Sequence, residues 1–90
     1  MKAVIDIATI KILLYLFDGS NARYSELMEE AIQSRSTLAL ALRDLQEEQL
    51  IEREVIDTRQ VQTRYSLTSY GKEIAEHLSA IRDVISRQSR

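Results

Sequence analysis

The sequence contains no cysteine and a single histidine, His77. The absence of cysteine excludes disulfides, thiolate catalysis and cysteine-based metal or redox sensing. One histidine leaves carboxylates to supply every other ligand of a metal site, so we expect no metal and no cofactor. No nucleophile–base constellation, phosphate-binding loop or metal-spaced cluster is visible, and we therefore predict that the chain is not an enzyme.

Proline is also absent and glycine occurs only twice, which indicates long regular elements with few tight turns. Ninety residues are enough for one domain, and we interpret residues 1–90 as a single domain. A chain of this size buries a modest core, so pairing with a second copy often adds burial. The net charge of −2 weighs against tight nonspecific nucleic-acid binding, but it leaves room for a locally basic face.

Long apolar runs are missing as well. Residues 3–17 read AVIDIATIKILLYLF, which is shorter than the roughly 20 residues needed to span a bilayer and lacks the features of a signal peptide. We predict a buried helix here, in a cytoplasmic protein that has no membrane contact. Its apolar residues fall on two helical faces, with Ile10, Leu13, Leu14 and Phe17 on one and Ile5, Ala8, Ile12 and Leu16 on the other. One face can cover the core, and the second needs a partner.

The next segments predict two shorter helices. Residues 18–21 form a helix stop, with Gly19 suited to the left-handed position beyond the helix. After an extended Arg23-Tyr24, Ser25 is expected to cap one short helix and Ser34 to cap the next. In that third helix the core stripe has a spacing of four and three residues, and it consists of Leu38, Leu42 and Leu45.

A hairpin and a long helix complete the chain. Alternation predicts one strand from Ile51 to Ile56 and a return strand from Val61 to Leu67. They are joined by the glycine-free turn of residues 57–60, which favours a loop of several residues. Thr68 is the expected cap of a last helix that runs to about Ser86. This helix carries an apolar seam that extends past a core of this size, namely Ile74, Leu78, Ile81 and Ile85.

Three segments in this order resemble the winged-helix regulators of the HxlR, PadR and MarR groups. They are Arg23-Tyr24-Ser25-Glu26-Leu27, Ser36-Thr37-Leu38 continuing through Leu42, Leu45 and Leu50-Ile51, and Tyr65-Ser66-Leu67-Thr68 with Gly71. The resemblance covers roughly residues 10–78. It implies an α+β, mostly α fold, a winged helix-turn-helix with a three-helix core, a β-hairpin wing and a long C-terminal dimerisation helix. Gln49 departs from the pattern, because these families usually have a helix-ending glycine there.

The resemblance also implies a homodimeric regulator that binds double-stranded DNA, with helix 3 in the major groove and the hairpin as the wing. It names no small-molecule effector. The residues expected to contact DNA lie at the start and outer face of helix 3 and in the wing: Arg35, Ser36, Thr37, Ala39, Leu40, Arg43, Arg59 and Arg64. The residues expected at the dimer interface are Ile5, Ile12, Leu16, Ile74, Leu78, Ile81 and Ile85.

Each candidate also has a purely structural interpretation. Ser36 and Thr37 can cap the first turn of helix 3, and the arginines can be solvated charges. The three acids of helix 3, Asp44, Glu47 and Glu48, all lie towards its C-terminal end and weigh against DNA. They favour an alternative in which the winged helix is a protein-binding module without DNA binding, with outward Leu40 as part of the contact surface.

Overall fold

The computed structural model describes residues 5–57, 59 and 61–88. Within them the chain forms four helices and one three-stranded antiparallel sheet. In chain order these are α1 (Ile7–Gly19), β1 (Asn21–Arg23), α2 (Tyr24–Glu30), α3 (Arg35–Glu47), β2 (Ile51–Asp57), β3 (Val61–Leu67) and α4 (Ser69–Gln88). The predicted architecture of three core helices, a hairpin wing and a long last helix is confirmed.

Helix α1 begins at Ile7 because Asp6 caps it. The Asp6 carboxylate accepts a hydrogen bond from the Thr9 backbone N–H at 2.9 Å, and the Thr9 hydroxyl accepts one from the Asp6 N–H at 2.8 Å. This reciprocal pair satisfies two of the N–H groups that a helix start leaves without partners. The predicted start at residue 3 is thus corrected: Ile5 and Asp6 precede the helix, and residues 1–4 lie outside the described residues.

Two further predicted helix boundaries are wrong by one or two residues. The left-handed residue after α1 is Ser20, with φ 74°, because Gly19 is still helical and the Ser20 N–H bonds to the Leu16 carbonyl at 2.8 Å. Helix α2 begins at Tyr24, and Arg23 is its N-terminal cap residue instead of Ser25. The Glu26 carboxylate sets this start, because it accepts a hydrogen bond from the Arg23 backbone N–H.

Helix α1 is the centre of the core. It packs against α4, α3, β1 and β3, and this enclosure buries Ile12 (0% exposed) and Leu16 (1% exposed) inside the chain itself. The assignment of these two residues to a dimer interface is therefore corrected, because they have no surface left for a second copy. Periodicity separated the faces of α1, but it could not tell which neighbouring elements of the same chain cover them.

The sheet has the strand order β1-β3-β2. On its inner face Ala22 lies opposite Tyr65, and both are buried in the core. The predicted alternation of the hairpin is confirmed, since Arg53 is paired with Tyr65 and Glu54 with Arg64. The turn is shorter than predicted, because Asp57 still pairs with Val61.

The end of α3 is joined to the start of α4 by hydrogen bonds around one hydroxyl. Thr68 Oγ1 donates to the Gln49 carbonyl at 2.7 Å and accepts from the Gly71 N–H at 2.9 Å, so the prediction that Thr68 caps α4 is confirmed. Gln49 has φ 61°, the left-handed value expected for the glycine that it replaces. The Leu50 N–H bonds back to the Leu45 carbonyl at 2.9 Å, which completes the Schellman motif that ends α3.

Candidate nucleic-acid interface

Helix α3 has one face in the core and one in solvent. The buried face consists of Leu38, Ala41, Leu42 and Leu45. All six residues that sequence patterns select for DNA contact on this helix are exposed, namely Arg35, Ser36, Thr37, Ala39, Leu40 and Arg43. Leu40 has 51% of its surface exposed, which is a large apolar exposure for the middle of a helix. Ala41, the next residue in the chain, is buried in the core and adds nothing to this exposed surface.

The hydroxyl that caps α3 belongs to Ser34. Its Oγ accepts the Thr37 backbone N–H at 3.3 Å and lies 3.4 Å from Ser36 Oγ, so the predicted cap is confirmed. Since Ser34 satisfies the helix start, the exposed side chain of Thr37 is not needed for capping. A small, exposed first turn of this kind permits close approach to a groove.

The C-terminal end of α3 is acidic. Asp44 and Glu48 are half-buried and Glu47 is exposed, and Asp44 and Glu47 both have interaction partners in the structure. The two cations of the helix, Arg35 and Arg43, both precede these acids in the chain. The charge of α3 therefore runs from positive at its start to negative at its end, and a polyanion is favoured only at the first two to three turns.

The wing places its two arginines in different settings. Arg59 lies in the turn and is exposed. Arg64 lies at the middle of β3, where its Nη1 donates to Asn21 Oδ1 at 3.0 Å. Only Arg59 is therefore at the tip, and Arg64 belongs to the outer face of the sheet at the base of the wing.

Sequence patterns missed the neighbours of Arg64 on that outer face. Antiparallel register sets Arg23 directly opposite Arg64, and Asn21 opposite Ser66. Arg23 forms an ion pair with Glu26, with 3.4 Å between Nε and Oε1. The only available signal was the alternation Asn21-Ala22-Arg23, which is too short to reveal which strand it pairs with.

The last helix carries exposed apolar residues beyond the core. Ile81 (56% exposed), Val84 (47%) and Ile85 (60%) lie on one flank of α4, as the 100° per residue of a helix requires. We call them the apolar strip of α4. Ile74 and Leu78, the other predicted seam residues, are half-buried against the core. Ile5 and Ile7 are also exposed at the start of α1.

A second ion pair, which sequence analysis did not anticipate, ties α4 to the end of α1. The Arg82 guanidinium donates to both carboxylate oxygens of Asp18, at 3.0 and 3.2 Å. The hydrogen bond from Arg82 holds the pKa of Asp18 below its ordinary value, against the opposing effect of partial burial. Arg82 follows Ile81 in the chain, so this contact ties α4 to α1 at the level of the apolar strip.

Other kinds of site find little support in the described part of the chain. No group of three or more metal-ligating side chains comes together among the described residues. No helix within these residues is both long and apolar enough to cross a membrane.

The arrangement of three helices, a paired wing and an α3 with one buried and one exposed face defines a winged helix-turn-helix of the transcriptional-regulator type. The model of the HxlR-like helix-turn-helix family matches residues 8–90. The chain therefore belongs to the HxlR-like helix-turn-helix family, one of the three groups that the sequence motifs resemble. No curated protein matches the chain.

Solved structures of regulators have the same fold. The Salmonella typhimurium protein ytfH, described as a transcriptional regulator, is 26% identical, with a TM-score of 0.71 over 90% of this chain and 80% of its own. A MarR-family transcriptional regulator from Silicibacter pomeroyi is 29% identical, with a TM-score of 0.78 over 93% of this chain. This chain spans only 57% of that protein. A PadR-like transcription factor from Bacteroides fragilis, at 21% identity and a TM-score of 0.71, covers 89% of this chain and 84% of its own and shows the shared fold alone.

Proposed function

We propose that this protein binds double-stranded DNA sequence-specifically as a homodimeric transcriptional regulator. In this proposal the first turns of α3 enter the major groove, and the wing contacts the backbone or minor groove. The single observation that carries it is the sharp division of α3. Its inner stripe is wholly buried, whereas Arg35, Ser36, Thr37, Ala39, Leu40 and Arg43 are all exposed on the element that helix-turn-helix proteins insert into the groove.

Each exposed residue has a physical role in that complex. Arg35 and Arg43 can donate to guanine edges or phosphates, and Leu40 can contact a thymine methyl group. The small side chains of Ser36 and Ala39 allow the helix backbone to lie deep in the groove. Arg59 at the wing tip suits phosphate or minor-groove contact.

Dimerisation supplies the second half of the proposal. The apolar strip of α4 together with Ile5 and Ile7 leaves a large exposed apolar area for a small chain. We infer that a second copy covers it, with Ile74 and Leu78 at its margin. A twofold dimer would present two copies of α3 to major grooves about 34 Å apart, so the operator is expected to be pseudo-palindromic.

The direct test is selection of duplexes from a random library by the purified protein, followed by mobility shifts on the selected and random duplexes. We expect a pseudo-palindromic site that binds at least about a thousandfold more tightly than random DNA. Equal, weak binding to every duplex would contradict sequence-specific regulation.

The wing is tested by the salt dependence of binding. Arg59→Ala is expected to reduce the slope of log affinity against log salt by about 0.9, as the loss of one phosphate contact requires. Arg87→Ala is the matched control, because Arg87 is an exposed cation in the last turn of α4 and is expected to leave the slope unchanged. If Arg59→Ala leaves the salt slope unchanged, as Arg87→Ala is expected to do, the wing tip does not contact the DNA backbone.

The second candidate is a protein-binding module that does not bind DNA. The exposure of Leu40 and the acidic end of α3 favour it, because a basic, partly apolar partner would complement both. Retention of a protein partner after nuclease treatment, together with no shift of any duplex, would select this function over the first.

A further inference from the structure

We infer that Arg23 and Arg64 together form a phosphate clamp at the base of the wing, and that Glu26 limits its strength. This deepens the proposed DNA-binding function and rests on it. Arg23 and Glu26 are not among the residues that sequence patterns or the wing alone suggest for DNA contact. We call Arg23 and Arg64 the arginine pair.

The first support is the cross-strand position of the two arginines. Register sets Arg23 opposite Arg64, on the face of the sheet that points away from buried Ala22 and Tyr65. Like charges directly opposite each other on a sheet destabilise it. On its other side Arg64 faces Glu54 of β2, which offsets part of this repulsion. The two guanidinium groups on neighbouring strands still concentrate positive charge that favours an anionic ligand such as phosphate.

The second support is the number of donors that the fold leaves available. One terminal nitrogen of Arg64, Nη1, donates a hydrogen bond to Asn21 Oδ1 at 3.0 Å. The guanidinium group of Arg23 contacts Glu26 only through Nε, at a long 3.4 Å. Within the described part of the chain no other hydrogen bond or ion pair engages these guanidinium groups, so each keeps terminal N–H donors for the oxygens of a phosphate.

The third support is location. Arg23 ends β1 and immediately precedes α2, the first helix of the helix-turn-helix, which crosses the DNA backbone in complexes of this class. Arg64 lies five residues from Arg59, a distance of at most about 18 Å along the chain. The arginine pair and the wing tip can therefore follow one DNA backbone within a single helical turn, which is about 34 Å.

Glu26 lies within the field of both arginines. Its pKa is lowered first by the hydrogen bond from the Arg23 backbone and then, against partial burial, by the Arg23 side chain and by the charge of Arg64. Burial raises the pKa of the Tyr15 hydroxyl, and the nearby carboxylates of Glu26, Glu30 and Glu29 raise it further. A carboxylate so placed weakens phosphate binding by the arginine pair, and its neutralisation is expected to strengthen it.

The test compares four full-length variants on the selected duplex and on random-sequence duplex across a salt series. Arg23→Ala is expected to lower affinity severalfold on both duplexes alike and to reduce the salt slope by about 0.9. Arg23→Lys should retain the slope. Glu26→Gln, whose amide oxygen can still accept the Arg23 N–H, should raise affinity on both duplexes. Arg87→Ala again serves as the cation control.

A purely structural role for Arg23 makes different predictions. Arg23→Ala would then lower the melting temperature and leave the salt slope unchanged, and Glu26→Gln would lower affinity or leave it unaltered. If the wild-type protein still gives a mobility shift with DNA, either of these results overturns the phosphate clamp. Failure of the wild-type protein to bind any duplex would instead overturn the DNA-binding function itself, so the two failures are distinguishable.

Discussion

Gly71 lies so close to the carbonyl oxygen of Leu50 that the Cβ of any other residue at position 71 would overlap that oxygen. The first turn of α4 can therefore pack on the end of α3 only without a side chain at this position. The oxygen belongs to the backbone at the joint that Thr68 also holds, so it cannot move aside as a flexible side chain would. This contact explains physically why the Thr68–Gly71 segment carries a glycine.

Gly71→Ala is accordingly expected to destabilise the protein. Relief of the overlap requires a shift of α4 or of the Leu50 backbone, which costs at least about 2 kcal/mol on the scale of overpacked cores. Urea unfolding followed by circular dichroism measures the loss. Gly19→Ala is the matched control: a Cβ there meets nothing within 4 Å, and alanine is the better helix former by up to about 1 kcal/mol. Equal effects of the two changes would refute the steric argument.

Gln49→Gly is expected to stabilise the protein by about 1 kcal/mol. Gln49 holds φ 61°, a left-handed conformation that costs a residue with a Cβ roughly 1–2 kcal/mol and glycine much less. Glycine's greater freedom in the unfolded chain offsets part of the gain. The neighbouring Glu48, at φ −87°, provides the control, because glycine there relieves no strain. A rise in the urea midpoint for Glu48→Gly as large as that for Gln49→Gly would contradict this account.

Asp18→Asn is expected to lower stability at neutral pH and to have no effect in acid. The folded pKa of Asp18 is lowered, chiefly by the Arg82 hydrogen bond. The ionised Asp18 therefore stabilises the folded protein fully above the pKa it has in the unfolded chain, about 3.9. This stabilisation is lost as the pH falls through the lower pKa that Asp18 has in the folded protein. The effect is small because both side chains are well exposed.

The measurement for Asp18 is the difference in urea midpoint between wild type and variant at pH 7 and again near pH 2.5. Asp83→Asn is the charge-matched control, since Asp83 is also an exposed acid next to Arg82. A difference for Asp18→Asn that persists unchanged in acid would show that its origin is not the ion pair.

Ile81→Glu is expected to convert a dimer into a folded monomer. Ile81 is 56% exposed in the single chain, so its replacement removes little burial within one protomer but buries a charge in the proposed interface. Sedimentation at micromolar concentration reports the mass, and circular dichroism reports the fold. Ser86→Glu is the control, because Ser86 is exposed and lies about 140° around α4 from Ile81, away from the apolar strip. A wild-type protein that sediments as a monomer would contradict the interface altogether.

Local patterns were sufficient for much of the fold. Alternation assigned Arg64 and Tyr65 to opposite faces of the hairpin, and hydroxyl residues marked the caps at Ser34 and Thr68. These features depend on a few adjacent residues, so they can be read from sequence. The boundary errors at Gly19 and Ser25 arose because the decisive hydrogen bonds, from Ser20 to Leu16 and between Arg23 and Glu26, compete with equally plausible local alternatives.

The candidate site was less accessible to the same reasoning. The exposed face of α3 follows from its leucine spacing, but the ion pair of Asp18 with Arg82 joins residues 64 positions apart. The bond from Arg64 to Asn21 spans 43 positions. No periodicity connects residues so distant, because their proximity depends on how the helices and strands pack.

The sequence by itself determined the kind of elements in this protein, their order and the buried stripe of α3, because hydrophobic periodicity and caps act within a few residues of the chain. Only the tertiary structure decided that Ile12 and Leu16 belong to the core and that Arg23 lies beside Arg64. It also decided that Gly71 must accommodate the Leu50 carbonyl. Those outcomes depend on which surfaces meet when the chain closes around α1, and that is a property of packing.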